Sequence, residues 1–187
     1  MHKNFRKNRK TVRQILNHHF DRFGKCDRIK MLASHLKMST LFFEKKDEEK
    51  TMIPERLAAL REKMRAYGVD AYLVPTADYH ESEYVGTYFK ARTYITGFTG
   101  SAGTAVITQD EACLWTDGRY FVQAAKELAG TGVTLMKMGQ EGVPTVEEYL
   151  QANTKEGMTI GFDGRVVNEM LGETLEKTLP ERFLSYR

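Results

Sequence analysis

The stretch Thr104-Ala105-Val106-Ile107-Thr108-Gln109-Asp110-Glu111-Ala112-Cys113-Leu114-Trp115-Thr116 holds two runs of β-forming residues joined by three polar ones. Val, Ile, Thr and Trp suit the pleated, half-buried surface of a sheet. The polar triplet Gln109-Asp110-Glu111 interrupts them at a length that fits a hairpin loop. Strands over 104–108 and 112–116 are therefore predicted, and the chain on either side changes period. Upstream, Leu57, Leu60, Met64 and Tyr67 fall on one helical face, Pro54 suits the first turn, and Gly68 is placed as a left-handed cap. A strand from Ala71 to Val74 stops at Pro75. Thr76 to Ser101 is polar and irregular.

Downstream, Phe121 to Leu128 reads as a helix closed by Gly130, and Val133 to Met138 as a strand. Thr145 caps a helix with Val146, Tyr149 and Leu150 on one face and Glu147 and Glu148 in its first turn. Met158 to Phe162 is a strand, Asn168 to Leu179 a helix ending at Pro180, and Phe183 to Tyr186 a last strand. Helices alternating with strands around one hairpin predict an α/β fold, a mixed sheet of five or six strands flanked by helices. Residues 52–187 number 136. A chain of that length buries roughly two thirds of its unfolded surface, enough for an autonomous core. Its last strand is the exposed edge, where ladder groups go unpaired.

Composition sets outer bounds. The 187 residues are 41% hydrophobic, 11% aromatic and 28% charged, with 15 Gly and 4 Pro. A folded, non-collagenous chain follows. Its longest uncharged stretch, Thr93 to Gln109, is broken by Gly97, Gly100 and Gly103, so no membrane-spanning segment is expected. Cys26 and Cys113 are far apart and form no CxxC pair, which disfavours a disulfide framework and a zinc ribbon and makes a reduced, cytoplasmic setting the default.

The net charge of +3 hides an asymmetry. Residues 1–50 carry 14 Lys and Arg against 6 Asp and Glu, net +8, while residues 51–187 carry 14 against 19, net −5. The chain is therefore divided into a basic extension, residues 1–51, and a folded domain, residues 52–187. Three readings of the extension stand side by side: a nucleic-acid-binding arm, a transit peptide that lacks the expected serines, or an untranslated segment preceding a start at Met52. The last is allowed by Asp47-Glu48-Glu49-Lys50-Thr51, whose codons can spell a purine-rich ribosome-binding site.

Several constellations in residues 52–187 invite chemistry. Gly97-Phe98-Thr99-Gly100-Ser101-Ala102-Gly103 is glycine-rich, yet it precedes a strand and has no Lys, whereas a phosphate loop follows a strand and opens a helix. Ser101 is not in a GxSxG elbow. His80-Glu81-Ser82-Glu83-Tyr84 has Tyr where a zincin needs its second His. No downstream set of carboxylates assembles a two-metal hydrolytic site, and Asp78, Asp117 and Asp163 show no clustering that would support nuclease chemistry. Trp115-Thr116-Asp117-Gly118-Arg119-Tyr120 leads from a strand into a helix, the place where open α/β sheets hold ligands. Arg119 offers a planar donor fork for a carboxylate or carbonyl. The plainer alternative is that Asp117 caps the turn and Arg119 forms a surface pair.

Together, Ala71-Tyr72-Leu73-Val74-Pro75, Asp78, His80, Ser82-Glu83-Tyr84, Arg92, the run from Gly97 to Ala105 and Leu114 to Tyr120 resemble the amino-terminal domain of the aminopeptidase P family. The likeness continues through Gln123-Ala124-Ala125, Leu135 to Gly139, Pro144-Thr145 and Gly161-Phe162-Asp163, and covers none of residues 1–50. It implies a creatinase/prolidase N-terminal domain with a ribonuclease-H-like sheet. It also implies a role in a metallopeptidase that releases an N-terminal residue preceding proline, using two divalent metals, usually manganese. In that family two Asp, one His and two Glu of a carboxy-terminal pita-bread domain hold the metals. By the same resemblance Arg119 contacts the peptide, while this chain supplies no catalytic residue, metal ligand or cofactor and is expected to be inactive alone. Its implied partners are a peptide with proline in second position and either a second copy or the catalytic domain. Ala91 stands where the family often has a second arginine beside Arg92, and Phe89 where a polar residue is common. Two other functions remain open: a free-standing assembly partner of a separately encoded catalytic chain, and the disfavoured option of nucleic-acid binding through the basic arm.

Overall fold

The computed structural model describes residues 50–180 and 182–186. The expectations for the basic extension, including its nucleic-acid and transit readings, fall on residues 1–49 and lie outside the described residues. The described elements are helix α1 (Ile53–Ala66), strand β1 (Ala71–Pro75), α2 (Ala91–Thr96), β2 (Thr104–Thr108), β3 (Ala112–Thr116), α3 (Phe121–Glu127), β4 (Thr134–Lys137), α4 (Val146–Asn153), β5 (Thr159–Phe162), α5 (Glu169–Thr178) and β6 (Phe183–Tyr186).

The six strands form one mixed sheet in the order β4-β3-β2-β1-β5-β6. The expected hairpin is present, Val106 opposite Cys113 and Ala105 opposite Leu114. β2 runs antiparallel to both of its neighbours, whereas the β3–β4, β1–β5 and β5–β6 pairs are parallel. All strands but β2 thus point the same way, and the loops after β1, β3 and β5 emerge at one end of the sheet. Short parallel strands need cover on both faces, and the period-two alternation provides it. Ala105, Ile107 and Leu114 pack beneath Ile53 and Leu57 of α1, Ile95 of α2 and Ala124 of α3. Val106, Cys113 and Trp115 face Tyr149 and Leu150 of α4 and Leu175 of α5. The Trp115 ring meets Tyr149 edge-on at 5.0 Å, and its indole N–H donates to the Pro144 carbonyl at 2.7 Å.

Local signals fix the element ends. Gly68, at φ 66°, lets the Val69 N–H reach back to the Met64 carbonyl at 2.8 Å, a Schellman closure that turns the chain from α1 into β1. Thr145 and Glu148 form a reciprocal capping box on α4, and Asn168 caps α5 by accepting from the Leu171 N–H. The stretch expected to be irregular, 76–101, differs: it contains a 3-10 turn at Thr87–Phe89 and the six-residue helix α2. Ala-Arg-Thr-Tyr-Ile-Thr is a weak helix former, rich in β-branched and aromatic residues. Burial of Arg92, Ile95 and Thr96 and a left-handed Gly97 cap hold it in place. No helix among the described residues is long and apolar enough to cross a membrane.

Candidate functional site

β3 ends at Thr116, whose buried hydroxyl donates to the Ala102 carbonyl at 2.7 Å and ties the strand end to the glycine-rich loop. The chain then turns sharply. Asp117 caps the 3-10 turn Gly118–Tyr120, its Oδ1 accepting the Arg119 N–H at 3.0 Å. The same carboxylate takes the guanidinium side-on, from Nε at 3.0 Å and Nη2 at 2.9 Å. Arg119 Nη1 lies 3.5 Å from Glu83 Oε1, and 62% of the Arg119 side chain is exposed. The guanidinium bonds hold the Asp117 carboxyl below the usual carboxylate range, and the Arg119 pKa is raised in turn, first by Asp117 and then by weaker contributions including Glu83.

Glu83 is itself anchored. Ser101 Oγ donates to Glu83 Oε1 at 3.0 Å and lies 2.7 Å from the Tyr120 hydroxyl. The loop after β1 and the glycine-rich loop therefore meet the Asp-Gly-Arg turn at one place. Beside them is a polar recess of about 310 Å³, lined in part by Thr76, Glu83, Tyr84, Lys90, Gln123 and Tyr120. The recess gathers hydrogen-bond donors and acceptors, and Glu83 on its wall lies beside the permanently charged Arg119 fork.

Arg92 supports the recess from below. It is 4% exposed, stacks with its Cζ 4.8 Å from the Phe98 ring centre, and donates through Nη1 to the Phe98 carbonyl at 3.3 Å and through Nη2 to the Gly100 carbonyl. Burial pulls its pKa down to about 10, with the Glu127 carboxylate acting in the opposite sense. Glu127 grips the other side of the loop, accepting from the Thr99 N–H and hydroxyl, both at 2.8 Å. The loop is also packed tightly, since a Cβ on Gly100 would come within 2.8 Å of the Tyr120 ring and one on Gly103 within 2.8 Å of the Trp115 carbonyl oxygen. It follows helix α2 and enters strand β2, the reverse of a phosphate loop's order.

The other residues singled out in the sequence stand apart from this cluster. His80 is exposed, and its N–H, with that of Ser82, donates to Asp78 Oδ1 at 2.9 and 3.0 Å. Those two backbone bonds, that of Ser82 first, keep the Asp78 carboxyl below its ordinary range. Asp163 pairs with Arg165. Among the described residues no group of three or more His, Cys, Asp or Glu side chains could hold a metal ion. The sequence pointed to Arg119 but not to Glu83, Ser101 and Tyr120 as its neighbours, because their proximity depends on two loops that only the sheet order brings together.

Residues 56–185 match the Creatinase/Prolidase N-terminal domain family. Among similar proteins, "Aminopeptidase P2" of Arabidopsis thaliana is 39% identical over 140 residues, 74% of this chain and 20% of that protein. "Probable Xaa-Pro aminopeptidase P" of Talaromyces marneffei is 49% identical over 128 residues, 66% of this chain and 19% of that protein. The chain thus spans about a fifth of the length of these curated relatives. Among solved structures, the X-prolyl aminopeptidase of Caenorhabditis elegans, described as a cytosolic enzyme with a di-nuclear active site, superposes with a TM-score of 0.67 at 35% identity, covering 72% of this chain and 24% of that one. The N-terminal domain of the cytoplasmic peptidase PepQ from Mycobacterium tuberculosis gives a TM-score of 0.51 at 26% identity, covering 71% of this chain and 92% of that one.

Proposed function

The chain belongs to the creatinase/prolidase N-terminal domain family, and from that premise we propose that it is the non-catalytic, peptide-contacting domain of a proline-specific metallo-aminopeptidase of the cytoplasm. In this reading residues 52–187 are the working domain, Arg119 is a substrate-binding residue, and the domain contributes to subunit assembly. The observation that carries it is the posture of Arg119. Its inner edge is fixed by Asp117 while its outer edge is exposed beside Glu83, a residue that lines the polar recess. A guanidinium held in this way is preorganised to donate two hydrogen bonds to a peptide carbonyl or carboxylate without losing much side-chain freedom.

The described residues do not fit a dinuclear metal centre, because no cluster of ligating side chains is present among them. In this proposal two divalent ions, manganese by family resemblance, belong to a separate catalytic domain. That domain cleaves the bond before proline in a peptide whose second residue is proline, and this domain positions the peptide and narrows its approach. Binding without a chemical step is what such an arrangement supplies, since rate enhancement requires groups that act on the reacting atoms in the transition state. The reading is tested by titrating Arg-Pro-Pro into the 187-residue chain and into an Arg119→Gln variant. Saturable binding weakened by the substitution supports it, and equal binding by the two proteins refutes it.

A further inference from the structure

The triplet Asp117-Gly118-Arg119 occurs a second time, as Asp163-Gly164-Arg165, and the fold uses both in one way. Each triplet directly follows a strand, β3 or β5, and these strands run in the same direction. In the second turn the Arg165 N–H donates to Asp163 Oδ1 at 3.0 Å, while the guanidinium takes the carboxylate side-on, Nε to Oδ1 at 2.8 Å and Nη2 to Oδ2 at 2.6 Å. Nη1 donates to the Tyr88 hydroxyl, and the guanidinium carbon lies 5.2 Å from the centre of the Tyr88 ring. A guanidinium has five N–H donors. With one on Nε, one on Nη2 and one on Nη1 engaged, one N–H on each Nη is left over among the described residues to meet a carboxylate.

Unlike Arg119, Arg165 lines an apolar cavity of about 360 Å³ between α1, β1, the Thr87–Phe89 turn and α2. Aromatic rings dominate its wall, with Tyr72, Phe89 and Tyr94 beside Pro75 and Ile95. The Arg56 guanidinium carbon lies 4.2 Å from the centre of the Tyr94 ring, and Nη1 donates to the Tyr94 carbonyl at 2.9 Å. Lys63 also lines the cavity, and the only carboxylate on its wall is Asp163, already engaged by Arg165. The space is thus hydrophobic within and carries three cations against one anion. Its volume falls at the small end of the range for small-molecule pockets.

We propose that this cavity binds an apolar carboxylate of amino-acid size, its ring or alkyl body among Tyr72, Phe89 and Tyr94 and its carboxylate on the remaining N–H donors of Arg165. The site is separate from the Arg119 recess and does not rest on the peptide-contact reading. The probe is N-acetyl-L-phenylalanine, titrated into the isotopically labelled 187-residue chain and followed by chemical-shift changes, with N-acetyl-L-phenylalaninamide as the uncharged control. The acid binds saturably and at least about tenfold more tightly than the amide, because only the acid forms the charge-assisted pair. Arg165→Gln removes that advantage and Arg165→Lys restores it in part. The proposal is overturned by acid and amide binding alike, by a full advantage in Arg165→Gln, or by no saturable binding of the acid. Should Arg165→Gln fail to fold, the acid-to-amide comparison on the unaltered chain still decides the matter.

Discussion

Asp117 holds Arg119 by one edge only: Nε and Nη2 donate to its two oxygens at 3.0 and 2.9 Å, and the outer edge faces solvent next to Glu83. Asp117→Asn is therefore expected to leave the fold intact and to weaken peptide binding. An exposed pair adds little to stability, but the neutral amide no longer fixes the fork. The expected result is a melting temperature within about 2 °C of the unaltered chain and a several-fold loss of affinity for Arg-Pro-Pro. A large drop in melting temperature would show that the pair is mainly structural.

Arg92 should behave in the opposite way. It is buried and supplies two hydrogen bonds to loop carbonyls, those of Phe98 and Gly100. Arg92→Met keeps the aliphatic stem and leaves both carbonyls without their donor, at a cost of about 2–4 kcal/mol in chemical denaturation. A loss below about 0.5 kcal/mol would remove Arg92 as the support of the glycine-rich loop.

The two tight glycines of that loop differ in what a methyl group would strike. In Gly103→Ala the Cβ meets a backbone oxygen of the sheet, Trp115 O at 2.8 Å, whereas in Gly100→Ala its nearest neighbour is the fully buried Phe98 ring, with the Tyr120 ring at 2.8 Å. Neither a sheet carbonyl nor a packed core ring gives way freely, so each substitution should destabilise, by about 1–3 kcal/mol. Trp115 is the only tryptophan, and its buried indole reports unfolding directly by a red shift of its emission. An unfolding midpoint unchanged in either variant would contradict this.

The acid limb of stability has a stated origin. Asp78, Asp117 and Asp163 are all held below their ordinary pKa, by backbone N–H donors in the first case and by the following arginine in the other two. A carboxyl depressed in the folded state stabilises it above the unfolded pKa and loses that contribution as pH falls through the folded one. Stability should thus be level from about pH 5 to 8 and decline below about pH 4. Asp163→Asn should flatten the decline, and an unchanged acid limb in that variant would exclude Asp163 as a contributor.

Much of the fold could be read from local chemistry. The hairpin, the Gly68 turn, the Thr145 capping box and the Asn168 cap each rest on a few adjacent residues whose preferences agree with the sheet they serve. Helix α2 could not be read so, because Ala91–Thr96 is helical through burial and the bonds of Arg92 rather than through propensity. The site was legible only as far as Arg119. Glu83 and Ser101 lie 36 and 18 positions before it, and they reach it because β1 and β3 flank β2 and point the same way. The sequence signal for Arg165 is the repeated Asp-Gly-Arg triplet, whose placement at the end of a second parallel strand only the sheet order shows.

The central claim, that this domain contacts a peptide through Arg119 while supplying no chemistry, is tested most directly by incubating the 187-residue chain with Arg-Pro-Pro and manganese. Peptide occupancy and free arginine would be followed together by mass spectrometry and chemical-shift titration. The account predicts saturable binding, at least about fivefold weaker in Arg119→Gln, as for loss of a charge-assisted hydrogen bond, with no release of arginine. Metal-dependent release of arginine that survives repurification, or binding indifferent to Arg119, would contradict it.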